Sequence, residues 1–98
     1  MIEVRTTEVF DKWLARLKDR KAKARIQARI DRVEMGNLGD VSPVGEGVSE
    51  LRIFYVPGYR VYFVKQNSVV VILLSGGDKS SQQVDIAKAK EIAKQLEV

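Results

Sequence analysis

The sequence predicts one α+β domain over residues 1–98, in the order β-α-α-β-β-β-α. An antiparallel sheet is expected, with a helical hairpin and a C-terminal helix packed on one of its faces. Three observations carry this. Phe10, Trp13, Leu14 and Leu17 sit at i, i+3, i+4 and i+7, and Ala22, Ile26, Ile30 and Val33 share one face of a second helical stretch. Strand-like runs then flank Val56-Pro57-Gly58, a turn signal. A last stretch returns to helical spacing through Ile86, Ala89, Ile92, Ala93 and Leu96.

The elements follow in order. Ile2–Arg5 alternates and reads as a first strand. Thr6 or Thr7 caps the first helix, with Glu8 in its first turn. Asp19 is the break before a second helix over about Lys21 to Met35, and so short a joint makes a hairpin. Trp13, with Leu17 at i+4, is expected in the core. Gly36 ends the second helix, and the Gly-, Ser- and Pro-rich stretch to Gly47 reads as an exposed loop. Val48–Tyr55 and Tyr59–Val64 form a hairpin. Val69–Leu74 is unbroken and β-branched, as in a central strand covered on both faces. Ser75–Ser81 reads as a polar joint, and Ser80-x-x-Gln83 as the capping box of the last helix.

Composition excludes much chemistry. The 98 residues include no cysteine and no histidine. That removes disulfides, thiolate zinc sites, Cys and Ser-His nucleophile systems, and the commonest neutral-pH base and metal ligand. It fits a reducing cytosol. The longest apolar run, Val69–Leu74, is far short of the ~20 residues of a membrane helix. The N-terminus does not read as a secretory signal. Gly76-Gly77-Asp78-Lys79-Ser80 lacks the spacing of a phosphate loop. The acids Glu34, Asp40 and Glu46 are too scattered for a hard-metal cluster.

Charge is concentrated. Residues 11–32 carry nine basic side chains, Arg25 and Arg29 among them, against three acids, a net +6. Such a stripe serves a polyanion, an acidic protein partner or simple solvation.

Alternation decides which side chains share a sheet face. An odd-length turn, with Tyr55 opposite Tyr59 and Phe54 opposite Arg60, brings Ile53, Tyr55, Val61 and Phe63 together against the helices. An even turn would bury Arg60 unpaired, which is costly. The other face, expected open, then displays Arg52, Phe54, Arg60 and Tyr62. Guanidinium groups beside aromatic rings suit RNA, with cations for phosphates and π-faces for bases. The alternative is edge decoration, with Arg52 pairing Glu50. Arg, Lys, Tyr and the acids Glu50, Asp78 and Asp85 can hold a phosphodiester and stabilise its transition state. RNA supplies its own 2′-OH nucleophile.

Five segments carry a family resemblance: TxxFxxWLxxL (Thr7–Leu17), RIxxRI (Arg25–Ile30), GNLGDVSPVGEGVSELRI (Gly36–Ile53), PGYRVYFV (Pro57–Val64) and LLSGGDKSSQQVDI (Leu73–Ile86). Together they resemble the RelE/ParE superfamily of type II toxin–antitoxin toxins, and within it the HigB-like, phage-derived addiction module killer branch. The resemblance implies a RelE-like, microbial-ribonuclease-like fold and a cytoplasmic toxin without cofactor or metal. Its partners would be the ribosome, mRNA and a cognate antitoxin, commonly a helix-turn-helix DNA-binding protein. RelE and HigB members cleave mRNA on the ribosome, whereas ParE members inhibit DNA gyrase. A relic that only binds its antitoxin is a third state of the family. By motif, Arg60 matches the arginine on the scissile phosphate, Arg52 falls near a substrate-binding strand lysine, and Lys79 near a basic residue after the last strand. Phe54, Tyr62, Arg25 and Arg29 are the expected RNA contacts. The family's tyrosine before the last helix is missing. Asp85 stands near its place, and Asp78 or a tyrosine on the sheet are the alternatives.

Overall fold

The computed structural model describes residues 1–96. Strand β1 (Glu3–Thr6) leads into α1 (Glu8–Arg16) and α2 (Arg20–Glu34), then β2 (Val41–Gly45), β3 (Val48–Ile53), β4 (Tyr59–Asn67), β5 (Val70–Asp78) and α3 (Gln82–Leu96). The five strands form one sheet in the order β1-β5-β4-β3-β2. Four strands run antiparallel in sequence order, while β1 pairs parallel with β5.

Local chemistry sets the helix starts. Thr7 caps α1, its side chain accepting from Phe10 N at 3.1 Å. Asp19 caps α2, accepting from Lys21 N at 2.9 Å and Ala22 N at 3.2 Å. The apolar stripe of α2, Ala22, Ile26, Ile30 and Val33, is fully committed to the core. It packs with Phe10 on Leu51, Ile53, Tyr59, Val61, Phe63, Val71 and Leu73 of the sheet. Trp13 joins that layer as expected: its ring packs on Gly76 and meets Tyr59 edge-on at 6.3 Å.

The helices do not share one face. The hairpin covers one side of the sheet, and α3 covers the other, over Val48, Tyr62 and Leu74. The reason is the apolar surface left on the second side: Val48, Val64, Ile72 and Leu74 would otherwise face water. Of the residues expected to bury on α3, Ala89 is fully enclosed, Ile86, Ile92 and Ala93 are half-buried, and Leu96 is exposed. β5, between β1 and β4, is the covered central strand anticipated for Val69–Leu74.

Three further boundaries differ from expectation. The stretch read as a loop contains β2, an edge strand whose Pro43 sits at a bulge, where a missing N–H costs no ladder bond. β5 continues to Asp78, so only a single 3₁₀ turn, Lys79–Ser81, joins it to α3. Ser80 does not form the capping box. Asp78 caps the turn instead, accepting from Ser80 N at 2.8 Å, and Ser81 Oγ donates to Asp85 Oδ2 at 2.5 Å.

The β3–β4 turn is odd in length, as expected, but longer: Ile53 opposes Tyr59 and Arg52 opposes Arg60. The pairing is two residues from the expected Tyr55–Tyr59 register, which preserves the face assignments within the strands, while Phe54 and Tyr55 fall in the turn and Tyr55 is half-buried against the hairpin side. A shift in the β4–β5 ladder between Tyr62 and Phe63 pairs Phe63 with Leu73 but Tyr62 with Ser75. This bulge leaves Val71 and Leu73 facing the hairpin while Ser75 and Gly77 face α3.

Candidate nucleic-acid interface

The face of β3 and β4 that carries Glu50, Arg52, Arg60 and Tyr62 is not open. The first turn of α3 closes over its middle, and Tyr62 is 0% exposed. Its ring therefore presents no stacking surface, contrary to expectation. No protein group among the described residues hydrogen-bonds the Tyr62 hydroxyl. Burial, with Glu50 and Asp85 adding to it against Arg60, pushes this phenol up to about 12.

Glu50 is the centre of the covered part. It is 5% exposed, accepts from Gln82 Nε2 at 2.9 Å, and lies 3.6 Å from Arg52 Nε and 3.8 Å from Arg60 Nε. Arg52 and Arg60 are direct cross-strand partners, where like charges repel. One buried carboxylate between them offsets part of that repulsion, at ion-pair rather than hydrogen-bond distance. Strand alternation already placed Glu50 on this face; its burial between two cations was the signal that the expected site lacked.

At the rim the side chains diverge into two clefts. One, about 450 Å³, is lined by Arg60, Lys79, Phe54 and the turn through Tyr55 and Gly58. Lys79 N donates to Gly58 O at 2.8 Å, which ties the 3₁₀ turn to the β3–β4 turn and sets Lys79 beside Arg60. The other, about 390 Å³, lies between α2 and β3 and is lined by Arg25, Arg29, Arg32, Arg52, Asp40 and again Phe54. Phe54, 77% exposed, is the wall common to both.

The structure thus brings Arg60, Lys79 and Phe54 together, and groups Arg52, Arg25 and Arg29 next door. Arg29 is not a free cation there. Its guanidinium donates to the carbonyls of Leu38 (2.9 Å), Asp40 (3.2 Å) and Arg52 (3.4 Å), closing the α2–β2 loop onto β3. Burial and then Arg32 lower its pKa against the pull of Asp40. Arg25 stacks over Tyr55 at 4.9 Å from the ring centre. Asp85 lines neither cleft. It sits in the first turn of α3, bonded to Ser81 and pressed so closely against Gly77 that a Cβ there would collide with its carboxylate. Asp78 is occupied with Ser80. No group of three or more acidic side chains able to hold a metal ion occurs among the described residues, and no described helix is long and apolar enough to cross a membrane.

A small α+β protein with a sheet clasped between a hairpin and a terminal helix, and paired cationic clefts at one rim, is the class these features define. Residues 12–97 match the family described as phage-derived protein Gp49-like, and the chain belongs to that family. An uncharacterized protein of Haemophilus influenzae is 54% identical over 95 residues, spanning 97% of this chain and 96% of that protein. A chain of the intact E. coli RelBE toxin–antitoxin complex superposes with a TM-score of 0.66 at 16% identity, over 80% of this chain and 96% of the other. The RelE-like fold that the sequence motifs implied is therefore present.

Proposed function

We propose that this chain is the toxin of a type II toxin–antitoxin module and acts as a metal-independent endoribonuclease on ribosome-bound mRNA. Membership of the phage-derived family and the RelE-like fold support the toxin role. The observation that carries the nuclease reading is the cleft where Arg60 and Lys79 stand beside exposed Phe54.

In this reading the scissile phosphate enters that cleft, and Arg60 and Lys79 hold its non-bridging oxygens. The ribose 2′-oxygen attacks phosphorus and the P–O5′ bond breaks, leaving a 2′,3′-cyclic phosphate and a 5′-hydroxyl. Charge on the phosphorane falls on the guanidinium, which stays protonated throughout. The 2′-OH proton leaves to water, and Lys79 Nζ protonates O5′. No carboxylate among the described residues lines the cleft, so the ribosome's alignment of the attacking hydroxyl supplies much of the rate. Asp85, engaged with Ser81, holds the start of α3 in place. A cognate antitoxin silences the toxin by covering this rim.

The test is induced expression with translation, mRNA 5′-ends and plasmid supercoiling followed separately. Rapid translation arrest with 5′-ends inside codons is expected. Intact mRNA with double-strand DNA breaks would replace this reading with gyrase inhibition, and normal growth with an antitoxin-binding relic. Arg60→Ala is expected to cut single-turnover cleavage on programmed ribosomes about 100- to 1000-fold, as loss of a transition-state donor does. Arg60→Lys restores little, since one ammonium does not replace a fork of N–H donors. Full activity of Arg60→Ala would remove the site assignment.

A further inference from the structure

Four arginines converge on the α2–β3 cleft, and among the described residues the only acid lining it is Asp40. Asp40 lies 3.8 Å from Arg52 Nε, and Glu50 neutralises Arg52 and Arg60 jointly. Most of the positive charge in the cleft is thus left without a counter-ion among the described residues. Arg29 is locked to three backbone carbonyls, which makes the floor rigid, while Arg25 is exposed above it. A preformed, cationic cleft with a floor fixed by Arg29 and the guanidinium groups of Arg25 and Arg32 exposed along it is matched to phosphate.

We infer that this second cleft seats a neighbouring phosphate of the same single RNA strand, with Phe54 standing between the two nucleotides as a stacking face. The inference deepens the proposed nuclease function and rests on it for the identity of the first cleft. Its basis is the alternation at the rim. Arg60 and Lys79 line one cleft, Phe54 is shared, and Arg25, Arg32 and Arg52 line the other. Phosphate, base and phosphate succeed one another along a single strand in the same order. A stretch of acidic residues alone supplies charge for both clefts but has no planar ring to use a bare phenyl wall, whereas every nucleotide brings one with its phosphate. The direct opposition of Arg52 and Arg60 has a purpose here, because two like charges placed across a ladder are repaid by a ligand carrying two anions.

The experiment measures binding of a labelled six-nucleotide 2′-O-methyl RNA, which lacks the attacking hydroxyl, by fluorescence anisotropy across a salt series. A polyglutamate peptide is the second probe. Arg25 and Arg32 are changed together to Gln, sparing Arg29 so that the loop stays closed. RNA affinity of this double variant is expected to fall about tenfold near 0.1 M salt, and its log–log salt slope to shrink by about 0.7 for each phosphate that is no longer neutralised. Phe54→Ala is expected to weaken RNA about tenfold, as loss of one stacked base does, and to leave polyglutamate binding unchanged. Unchanged RNA affinity in either variant overturns the inference. So does loss of polyglutamate binding alone in the arginine variant, which would make the cleft a docking site for an acidic protein. Circular dichroism melts of each variant establish that it is folded. If the wild type binds RNA in this pattern but cleaves nothing on ribosomes, the nuclease reading fails and the second cleft stands. If it cleaves normally while the arginine variant binds RNA like the wild type, only the second cleft fails.

Discussion

Tyr62→Phe is the substitution that best separates structure from chemistry in this molecule. Tyr62 is wholly buried beneath α3, and its hydroxyl has no protein partner among the described residues. A buried hydroxyl left unpaired costs about 1–3 kcal/mol. Removing one oxygen leaves the ring packing on Val48, Leu74 and Ala89 intact. The variant is therefore expected to be more stable at pH 7 by about 1 kcal/mol or more, within that range. The phenol also imposes a pH dependence. Its folded pKa is raised to about 12 while the unfolded chain titrates near 10, so the unfolded state alone loses the proton between those values. Stability is unaffected below pH 10 and falls as pH rises from 10 toward 12. A shift of this size corresponds to roughly 2–3 kcal/mol by linkage, and phenylalanine has no such loss. Urea unfolding of both proteins at pH 7, 9, 10, 11 and 12 reads this directly: the midpoints should separate further above pH 10, with equal m-values. Cleavage should survive, because Tyr62 is wholly buried and lines neither cleft. A variant destabilised by more than about 1 kcal/mol would mean that the hydroxyl is satisfied after all. A stable variant without cleavage would make Tyr62 the tyrosine that handles the proton.

Glu50→Ala should destabilise by about 3–5 kcal/mol, because it strands Arg52 and Arg60 against each other; Glu50→Gln should be milder, since it keeps the amide contact with Gln82. Thermal melts of the two variants check this. Arg29→Lys should cost about 2–4 kcal/mol, as one ammonium replaces a guanidinium spread over three carbonyls. Amide exchange should then quicken between Leu38 and Asp40 before it does in the sheet. Gly77→Ala should expel the Asp85 carboxylate from its seat and loosen the first turn of α3, seen as faster exchange at Asp85 and Ile86 and a lower melting temperature.

Much of this architecture is local and legible in the chain itself. Thr7 caps α1 through its own side chain, Asp19 marks the break between the helices, the α2 stripe is a 3.6-residue period, and an odd-length turn around Val56-Pro57-Gly58, of three residues or five, sorts Arg52 with Arg60. Those features depend on neighbours within a few residues, so sequence alone determined them, and with them the resemblance to the RelE-like toxins. The remaining features were settled by contacts between distant segments. β2 carries Gly and Pro and exists because β3 offers it a ladder. The bulge between Tyr62 and Phe63 turns Ser75 and Gly77 toward α3, and α3 lands there because the hairpin had already taken the opposite face. That landing is what buries Tyr62 and Glu50 and leaves Phe54 as the exposed aromatic side chain among the described residues. Arg29 reads as an RNA contact in the sequence because a lone charge on a helix carries no sign of its partners. Its acceptors lie 9, 11 and 23 residues away, and only the closed chain brings three carbonyls to one guanidinium.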